Sequence, residues 1–572
     1  VQQWVEVTTI GDALTRAAIL DPDGLAVVLP PDRVSYAELH AGATLVARGL
    51  LGLGVRPGDR VGILMPNCLA SIRAFFAAAL LGAVTVPINT RYRAAELAHV
   101  VSHAGLAAIV TTDGKPEGLD FPGTIRDALE LVPDAEPLLV MLDAGLREAR
   151  EAREAREARE ARESRVSRRR VTRFVSASHA FRVDPDGAGF IDDAGLEEAA
   201  ASVDRESVEQ CRRRVRIRDL AVLLYTSGTT ARPKGCMHSH EPLVRTGIAR
   251  LTERPASRER AAVWIPCPLF HVGALVPLIG CVATRAPFLT SRRFDPGEAI
   301  TMLRDERVGT ALPLFAAFTD AIMDHPGFPD AGFPDLGNLL TTGSRAQVRR
   351  AQRAFAPARL LGAFGMTETC GVSAMSGVDD TDAERLDWDG VPLRGVDITV
   401  RDRDTGREAE PGVLGELVIR GYCVFDGYYR DPDAAAAAFD ADGWFHTGDV
   451  GINDGAGRIA FRGRYKDMLK VGGENVAATE VEDLVSGHPA VSVVAVVGVP
   501  DPRLDEVPAA YVELVPGAAL EPAELIEFCR GRAATFKVPR YVGFVAPGEW
   551  PMSATKVNKV ALRARAVKDF HT

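Results

Sequence analysis

The chain has 572 residues, 47% of them hydrophobic and 25% charged, a balance that excludes a disordered or collagen-like polymer. Its 67 Lys and Arg against 77 Asp and Glu give a net charge of −10, so the whole-molecule field repels polyanions and a nucleic-acid role would need a local basic patch. Eight cysteines without a Cys-x-x-Cys pair argue against a disulfide framework or a zinc site, and reduced thiols in a cytoplasmic protein are expected.

Val1 to Leu20 lacks the basic-then-apolar layout of a signal peptide. Arg60 to Met65 reads as a buried strand, Ser71 to Leu81 as an apolar helix and Ala83 to Ile88 as a second strand. The apolar run from Ala74 to Pro87 is shorter than the ~20 residues a membrane-spanning helix needs, so a protein without a transmembrane segment is expected. Ala94 to Ala104 places Leu97, Val100, Val101 and Ala104 on one helical face, with Gly105 as its cap, and Leu106 to Thr112 returns to strand. Alternation of this kind predicts an α/β fold with mainly parallel sheets.

From Arg147 to Ser164 the chain holds five Arg-Glu-Ala triplets and a sixth ending in Ser164. A period of three carries the alanines around a helix without forming an apolar face. This segment and the basic cluster Arg165, Arg168, Arg169, Arg170 and Arg173 are expected to belong to an atypical, solvated insertion over about 140–215. An electrostatic contact with RNA or acidic lipid, and replication slippage in a nine-base repeat, are its other readings. Asp184, Asp186, Gly189 and Asp192 fail as a calcium loop, because Ala188 and Gly195 stand where oxygen ligands are required.

Ala221 to Tyr225 reads as a strand that runs into Thr226-Ser-Gly-Thr-Thr-Ala-Arg-Pro-Lys234. Backbone N–H groups and the hydroxyls of Thr226, Ser227, Thr229 and Thr230 around Gly228 can cradle phosphate oxygens, with Lys234 supplying positive charge. The order differs from a Walker A loop, since Lys234 precedes Gly235. After about Gly463 the texture changes to a compact α+β module. It has helices at Ala478 to Ser486 and Pro522 to Ala534, and strands at Val491 to Val499 and Ala509 to Leu514.

With this loop the chain resembles the adenylate-forming superfamily, specifically the acyl-CoA synthetases of the AMP-dependent synthetase and ligase family. The resemblance continues in order through Pro268-Leu-Phe-His-Val-Gly273, Thr342-Gly-Ser-Arg-Ala346 and Phe364-Gly-Met-Thr-Glu-Thr369. Gly443-Trp-Phe-His-Thr-Gly-Asp449, Gly463-Arg-Tyr-Lys-Asp-Met-Leu-Lys470, Gly472-Gly-Glu-Asn-Val476 and Pro551-Met-Ser-Ala-Thr-Lys556 complete it. It covers nearly the whole chain apart from about 140–215. Two positions depart from the family pattern: Ala231 stands for a glycine of the phosphate loop, and Thr555 for a glycine before Lys556.

The resemblance implies a large multi-lobed N-terminal domain over 1–463 and a small mobile α+β C-terminal domain over 464–572. It also implies ATP and Mg²⁺ as cofactors and CoA as co-substrate. Lys556, Glu368, Thr229 and Arg464 become the expected catalytic residues, with Glu368 as the Mg²⁺ ligand. Nucleotide contacts are expected from Thr226, Ser227, Gly228, Thr229, Thr230, Lys234, Gly343, Ser344, Phe364, Gly365, Met366, Thr367, Asp449 and Arg464. Lys470, Gly472 and Gly473 would approach pantetheine, His271, Phe315 and Gly371 would border the acyl group, and Lys466 would be the hinge.

The implied activity is a two-step ligase acting on a carboxylic acid, with a medium- or long-chain fatty acid as first choice, a cytoplasmic location and a homodimer as a candidate assembly. No nucleic acid is expected as a partner. The alternatives are an enzyme that loads a separate carrier protein and an inactive scaffold of the same fold. Only 16 residues follow Lys556, too few for a fused carrier domain.

Overall fold

The structure is a computed structural model that describes residues 8–142, 189–226, 233–254, 260–330, 332–343, 345–472, 474–553 and 556–570. The Arg-Glu-Ala repeat, the basic cluster and residues 184–188 of the rejected calcium loop lie outside these residues. The chain divides into two compact units, Val1–Thr310 with Phe425–Pro432, and Ala311–Val424 with Asp433–Thr572. The change of texture near Gly463 falls inside the second unit.

The first unit begins with α1 (Ile10–Leu20), β1 (Leu25–Leu29), β2 (Asp32–Ser35), α2 (Tyr36–Gly52), β3 (Arg60–Leu64) and α3 (Leu69–Leu81). It continues with β4 (Val84–Pro87), α4 (Ala94–Ala104), β5 (Leu106–Thr111), α5 (Phe121–Glu130) and β6 (Leu138–Met141). After the undescribed stretch come α6 (Asp193–Ala201), α7 (Arg205–Arg214), β7 (Leu220–Thr226), β8 (Lys234–Ser239) and α8 (His240–Thr252). β9 (Val263–Trp264), α9 (Val272–Thr284), β10 (Phe288–Leu289) and α10 (Pro296–Asp305) complete the run.

Six strands form one sheet in the order β6-β5-β3-β4-β7-β8. All its pairs are parallel except β7–β8. Strands β3, β4 and β5 are mostly apolar runs without alternation, as central parallel strands covered on both faces must be. Their core joins Val86, Leu97, Val101, Ile109, Phe121 and Phe190. α3 is buried at every residue except Arg73, and no helix among the described residues is long and apolar enough to cross a membrane. Gly105 caps α4 as expected, at φ 62°, with its N–H on the Val101 carbonyl. A second sheet runs β9-β10-β1 in parallel and closes antiparallel on β2.

The expected insertion over about 140–215 must be corrected at its carboxyl side. Met141 and Ile191 are hydrogen-bonded neighbours, Phe190, Leu196, Ala200 and Val208 are buried, and α6 packs on α2. Arg48 of α2 donates to the carbonyls of Ala200 and Val203 at 2.8 and 2.7 Å, which ties the last turn of α6 to the core. Residues 189–214 are therefore part of the α/β body.

His240 opens α8 and is 1% exposed; its Nδ1 accepts the Ile10 backbone N–H at the start of α1, at 3.2 Å. Burial pushes its pKa down to about 4, against smaller opposing effects of Asp219 and Asp12. A group whose folded pKa lies below its unfolded value contributes stability above about pH 6.5 and loses it as pH falls through about 4, worth roughly 3 kcal/mol. His240→Gln keeps an acceptor for Ile10 and removes the titration. Thermal midpoints of parent and variant, compared at pH 7.5 and 4.5, should diverge, the parent losing more; equal losses would refute the assignment.

In the second unit, β11 (Thr310–Phe315), α11 (Ala316–Met323), β12 (Asn338–Thr342), α12 (Arg345–Ala354) and β13 (Arg359–Leu361) continue the α/β alternation. β12 and β13 pair in parallel. Short strands β14 (Ala363–Phe364), β15 (Ala374–Met375) and β16 (Val391–Pro392) follow. Next comes an antiparallel sheet of β17 (Val396–Arg401), β18 (Gly415–Gly421), β19 (Phe445–Asn453) and β20 (Ile459–Arg464).

The terminal part holds β21 (Met468–Val471), β22 (Glu474–Ala477), α13 (Ala478–Ser486), β23 (Val491–Asp501), β24 (Asp505–Leu514) and α14 (Pro522–Arg530). It ends with β25 (Tyr541–Phe544), β26 (Met552–Ser553), β27 (Lys556–Val557) and α15 (Lys559–Phe570). Two apolar clusters, around Val481, Val496 and Leu525 on one side and Val497, Tyr511 and Leu562 on the other, draw only on residues after 468. The helix expected over Pro522 to Ala534 stops at Arg530, where Gly531 follows, and a 3-10 turn over Thr535–Lys537 takes up the chain.

Candidate functional site

The phosphate-loop candidates begin on the β7–β8 hairpin, where Thr226 is the register partner of Lys234 and Tyr225 that of Gly235. Ser227, Gly228, Thr229, Thr230 and the departure Ala231 lie outside the described residues. The Lys234 ammonium stands 3.6 Å from the Asp431 carboxylate and 4.9 Å from the centroid of the Tyr428 ring. Both partners belong to the Phe425–Pro432 segment, which runs along β8: Gly427 and Gly235 accept from Met237 and Tyr429, and Met237 accepts from Asp426. Sequence reading missed Asp431 and Tyr428, because about two hundred residues separate them from Lys234 and no local spacing announces the pairing.

His271 is the N-cap of α9, with its carbonyl accepting from Ala274 and Leu275 and its ring 4.6 Å from that of Phe270. Asn67 fixes the approach to it, donating to the Cys267 carbonyl and Thr290 hydroxyl at 3.0 Å and accepting from Leu269 at 2.8 Å. A cavity beside this segment is lined by Ile63, Met65, Phe75, Leu269, Phe270 and Leu278, with Ser71 and Thr85 as its only polar lining residues. Ser71 already donates to the Cys68 carbonyl at 2.7 Å, so the walls are almost wholly apolar around a volume of about 20 Å³, room for about one water.

In the second unit, Phe364, Gly365, Met366, Thr367, Glu368 and Gly371 are gathered in one loop. Phe364 is 5% exposed, and its ring lies 6.1 Å from that of Phe461 at 25°, so one face is already covered. A Cβ on Gly365 would stand 2.5 Å from the Gly371 carbonyl oxygen, closer than real side chains approach, so the backbone crossing requires glycine. Gly371 itself sits at φ 86° and donates to the Met366 carbonyl, which closes a turn that presents Glu368 within a 3-10 segment over Thr367–Thr369. Among the described residues no group of three or more His, Cys, Asp or Glu is spaced to hold a metal. A single carboxylate at Glu368 suits Mg²⁺, which keeps several waters and is commonly completed by substrate phosphates.

Thr342 and Gly343 are exposed at the end of β12, and Ser344 lies outside the described residues. The Thr342 hydroxyl donates to the Leu314 carbonyl at 2.6 Å. Leu314 holds φ 66°, a left-handed conformation that costs a non-glycine residue about 1 kcal/mol, and it aims the chain into Phe315, whose ring is 6.3 Å from Phe318.

Asp449 and Arg464 face each other across β19 and β20, with Nε 2.9 Å from the carboxylate. Asp449 is 3% exposed, so the ion pair holds a carboxylate that burial alone would disfavour. The turn before it depends on Glu416, another residue that sequence reading missed. One Glu416 oxygen accepts from the Gly448 N–H at 2.9 Å, and the other lies 3.0 Å from His446 Nδ1.

Lys466 occupies a single 3-10 turn, Tyr465–Asp467, between two sheets. Lys470 and Gly472 are exposed along β21 and its turn, and Gly473 lies outside the described residues. The backbone of Lys556 pairs with Ser553 in the β26–β27 hairpin. Lys559, three residues on, is engaged elsewhere: its ammonium is 2.6 Å from Glu482, which also accepts the Val496 N–H.

Residues 14–429 match the family model described as AMP-binding enzyme, and residues 480–556 match the AMP-binding enzyme C-terminal domain. The chain is 31% identical to the putative acyl-CoA synthetase YngI of Bacillus subtilis over 571 residues, covering 99% of this chain and 98% of the relative. It is 30% identical to the long-chain-fatty-acid–CoA ligase FadD13 of Mycobacterium tuberculosis over 549 residues, 94% of each. Among solved structures, ATP-bound MatB from Rhodopseudomonas palustris superposes with a TM-score of 0.77 at 25% identity, covering 99% of this chain and 100% of that one.

Proposed function

The chain belongs to the AMP-binding enzyme family, as an AMP-forming acid–thiol ligase of the acyl-CoA synthetase type, and from that premise we propose that it joins a medium- or long-chain fatty acid to CoA. In the first step a carboxylate oxygen attacks the α-phosphorus of ATP, the α–β phosphoanhydride P–O bond breaks, and pyrophosphate leaves. In the second the CoA thiol loses its proton and attacks the acyl carbon; the bond from that carbon to the phosphate oxygen breaks, and AMP leaves.

The first step brings two anions together, so the chain must neutralise charge and hold the groups in line. Lys234 and the hydroxyls of Thr226, Ser227, Thr229 and Thr230 take the phosphates; Lys234 must leave Asp431 to do so. Glu368 holds Mg²⁺, which when bound offsets phosphate charge. Phe364, 5% exposed in this structure, would have to be uncovered to stack on adenine, and Gly343 and Ser344 are the further adenine contacts proposed. Asp449 accepts from the ribose hydroxyls, and Arg464, paired with it at 2.9 Å, reaches the nucleotide. Lys556 bridges carboxylate and α-phosphate. Residues 464–572 then act as a module that turns about Lys466 and brings Lys470, Gly472 and Gly473 to pantetheine.

The observation that supports the substrate class is the apolar wall beside Phe270 and His271, which would have to open to admit an acyl tail. It offers no charged partner to a polar acid. FadD13, by its name, acts on long-chain fatty acids. Eight cysteines outside any disulfide fit the proposed cytoplasmic location.

The test is pyrophosphate release and acyl-CoA formation with ATP, Mg²⁺, CoA and a panel from hexanoate to stearate, beside benzoate and cinnamate. Fatty acids should support both products. Turnover of aryl acids alone would overturn the substrate class. Transfer to a purified carrier protein in preference to CoA would overturn the acceptor.

A further inference from the structure

α4 carries two histidines one turn apart that reach different strands of the same hairpin. His99 Nε2 is 3.0 Å from the Pro233 carbonyl oxygen, and His103 Nδ1 is 2.7 Å from the Tyr225 hydroxyl. Pro233 directly precedes Lys234, and Tyr225 directly precedes Thr226. We propose that His99 and His103 are positioning residues that anchor the two ends of the phosphate-loop hairpin to α4 and thereby set the placement of Lys234 and Thr226 for ATP. The inference rests on the phosphate-loop reading above.

The dimensions suit the task. One helical turn rises about 5.4 Å, and neighbouring strands lie about 4.7–4.9 Å apart, so histidines at i and i+4 can address one strand each. The packing of α4 does not need them, since Leu97, Val100, Val101 and Ala104 already fill its buried face. A carbonyl oxygen only accepts, so His99 carries its proton on Nε2 and donates.

Burial, then His99 and Arg430, hold the His103 pKa below its ordinary value, with Asp431 opposing. His103 is therefore neutral at pH 7. Burial pushes the Tyr225 phenol well up, so it stays protonated and donates to His103 Nδ1. Aromatic edges lock the arrangement: the two histidine rings are 5.3 Å apart, and Tyr225 and Tyr429 meet His103 edge-on at 5.8 and 5.9 Å. Arg430 completes it, donating to the His103 carbonyl at 3.0 Å. The segment that supplies Asp431 to Lys234 thus also closes over the brace.

The test uses the full-length protein. His99→Phe and His103→Phe keep a ring and lose the bond, whereas His99→Gln and His103→Asn restore a donor and an acceptor at the matching positions. Tyr225→Phe removes the hydroxyl without touching either histidine. Each Phe variant should raise the KM for ATP roughly three- to tenfold, as loss of one uncharged hydrogen bond predicts. The KM for the acid and the attack of CoA on supplied acyl-adenylate should change by less than about twofold, and the Gln and Asn variants should return most of the ATP affinity.

An unchanged KM for ATP, an equal fall in both half-reactions, or no recovery in the Gln and Asn variants would each overturn the proposal. If the His→Phe proteins fail to fold, Tyr225→Phe decides alone between a raised and an unchanged KM. A parent protein that releases no pyrophosphate with any acid refutes the functional reading instead. Equilibrium binding of ATP to parent and variants then still tests the brace.

Discussion

Lys556→Ala is expected to lower acid-dependent pyrophosphate release by about 10³-fold while leaving the reaction of supplied acyl-adenylate with CoA within about twofold of the parent. The asymmetry follows from charge. Two anions meet only in the first step, and a positioned ammonium is worth most where that charge accumulates in a site that excludes water. In the second step the nucleophile is a thiol and AMP is already formed as a leaving group. Lys559 cannot substitute, because its ammonium is committed to Glu482. Single-turnover assays of each half-reaction measure both rates. A loss confined to the second step, or a variant that still adenylates, would remove Lys556 from the first step and point to the departure at Thr555 as a shift of register.

Lys466→Pro is expected to show the reverse pattern, with adenylation near the parent rate and thioester formation reduced by about 10²-fold, the scale associated with misplacing a reacting group by an ångström. Proline fixes φ near −65° and constrains the residue before it, so a turn that must change its dihedrals between two half-reactions loses that freedom. The Tyr465–Asp467 turn is suited to such a change: it is one 3-10 turn long and separates β20 from a terminal part with apolar clusters of its own. A KM for ATP close to the parent value serves as the control that Arg464, two residues away, is undisturbed. If both half-reactions fall together, the mobile module must pivot elsewhere.

Much of this architecture is written locally. α4 and its Gly105 cap, α13 over Ala478–Ser486, and strands β3, β4 and β5 follow from periodicity and punctuation, since each buries one face or both regardless of distant partners. The candidate nucleotide residues can be proposed from the sequence because glycines, hydroxyls and charges lie together in short runs, as in the loop from Phe364 to Gly371.

What stayed hidden depends on distant pairing. Residues 189–214 look like the tail of a charged insertion until Leu196 and Val208 are seen buried beneath α2 and α3. Glu416 reads as an ordinary strand carboxylate, yet it shapes the turn before Asp449. His99 and His103 read as polar positions on an amphipathic helix; their partners lie more than a hundred residues away.

The segment Phe425–Pro432 has a consequence for anyone dividing this protein into pieces. The polypeptide leaves the first unit at Thr310, returns for eight residues and leaves again, so that unit is not encoded by one contiguous stretch of gene. A fragment ending at Thr310 would expose the outer edge of β8 with its amide donors and acceptors unmet, and a bare edge of that kind recruits strands from other molecules. Such a fragment should self-associate. Supplying residues 425–432, joined by a short linker or added in trans as a peptide, should return it to a monodisperse state.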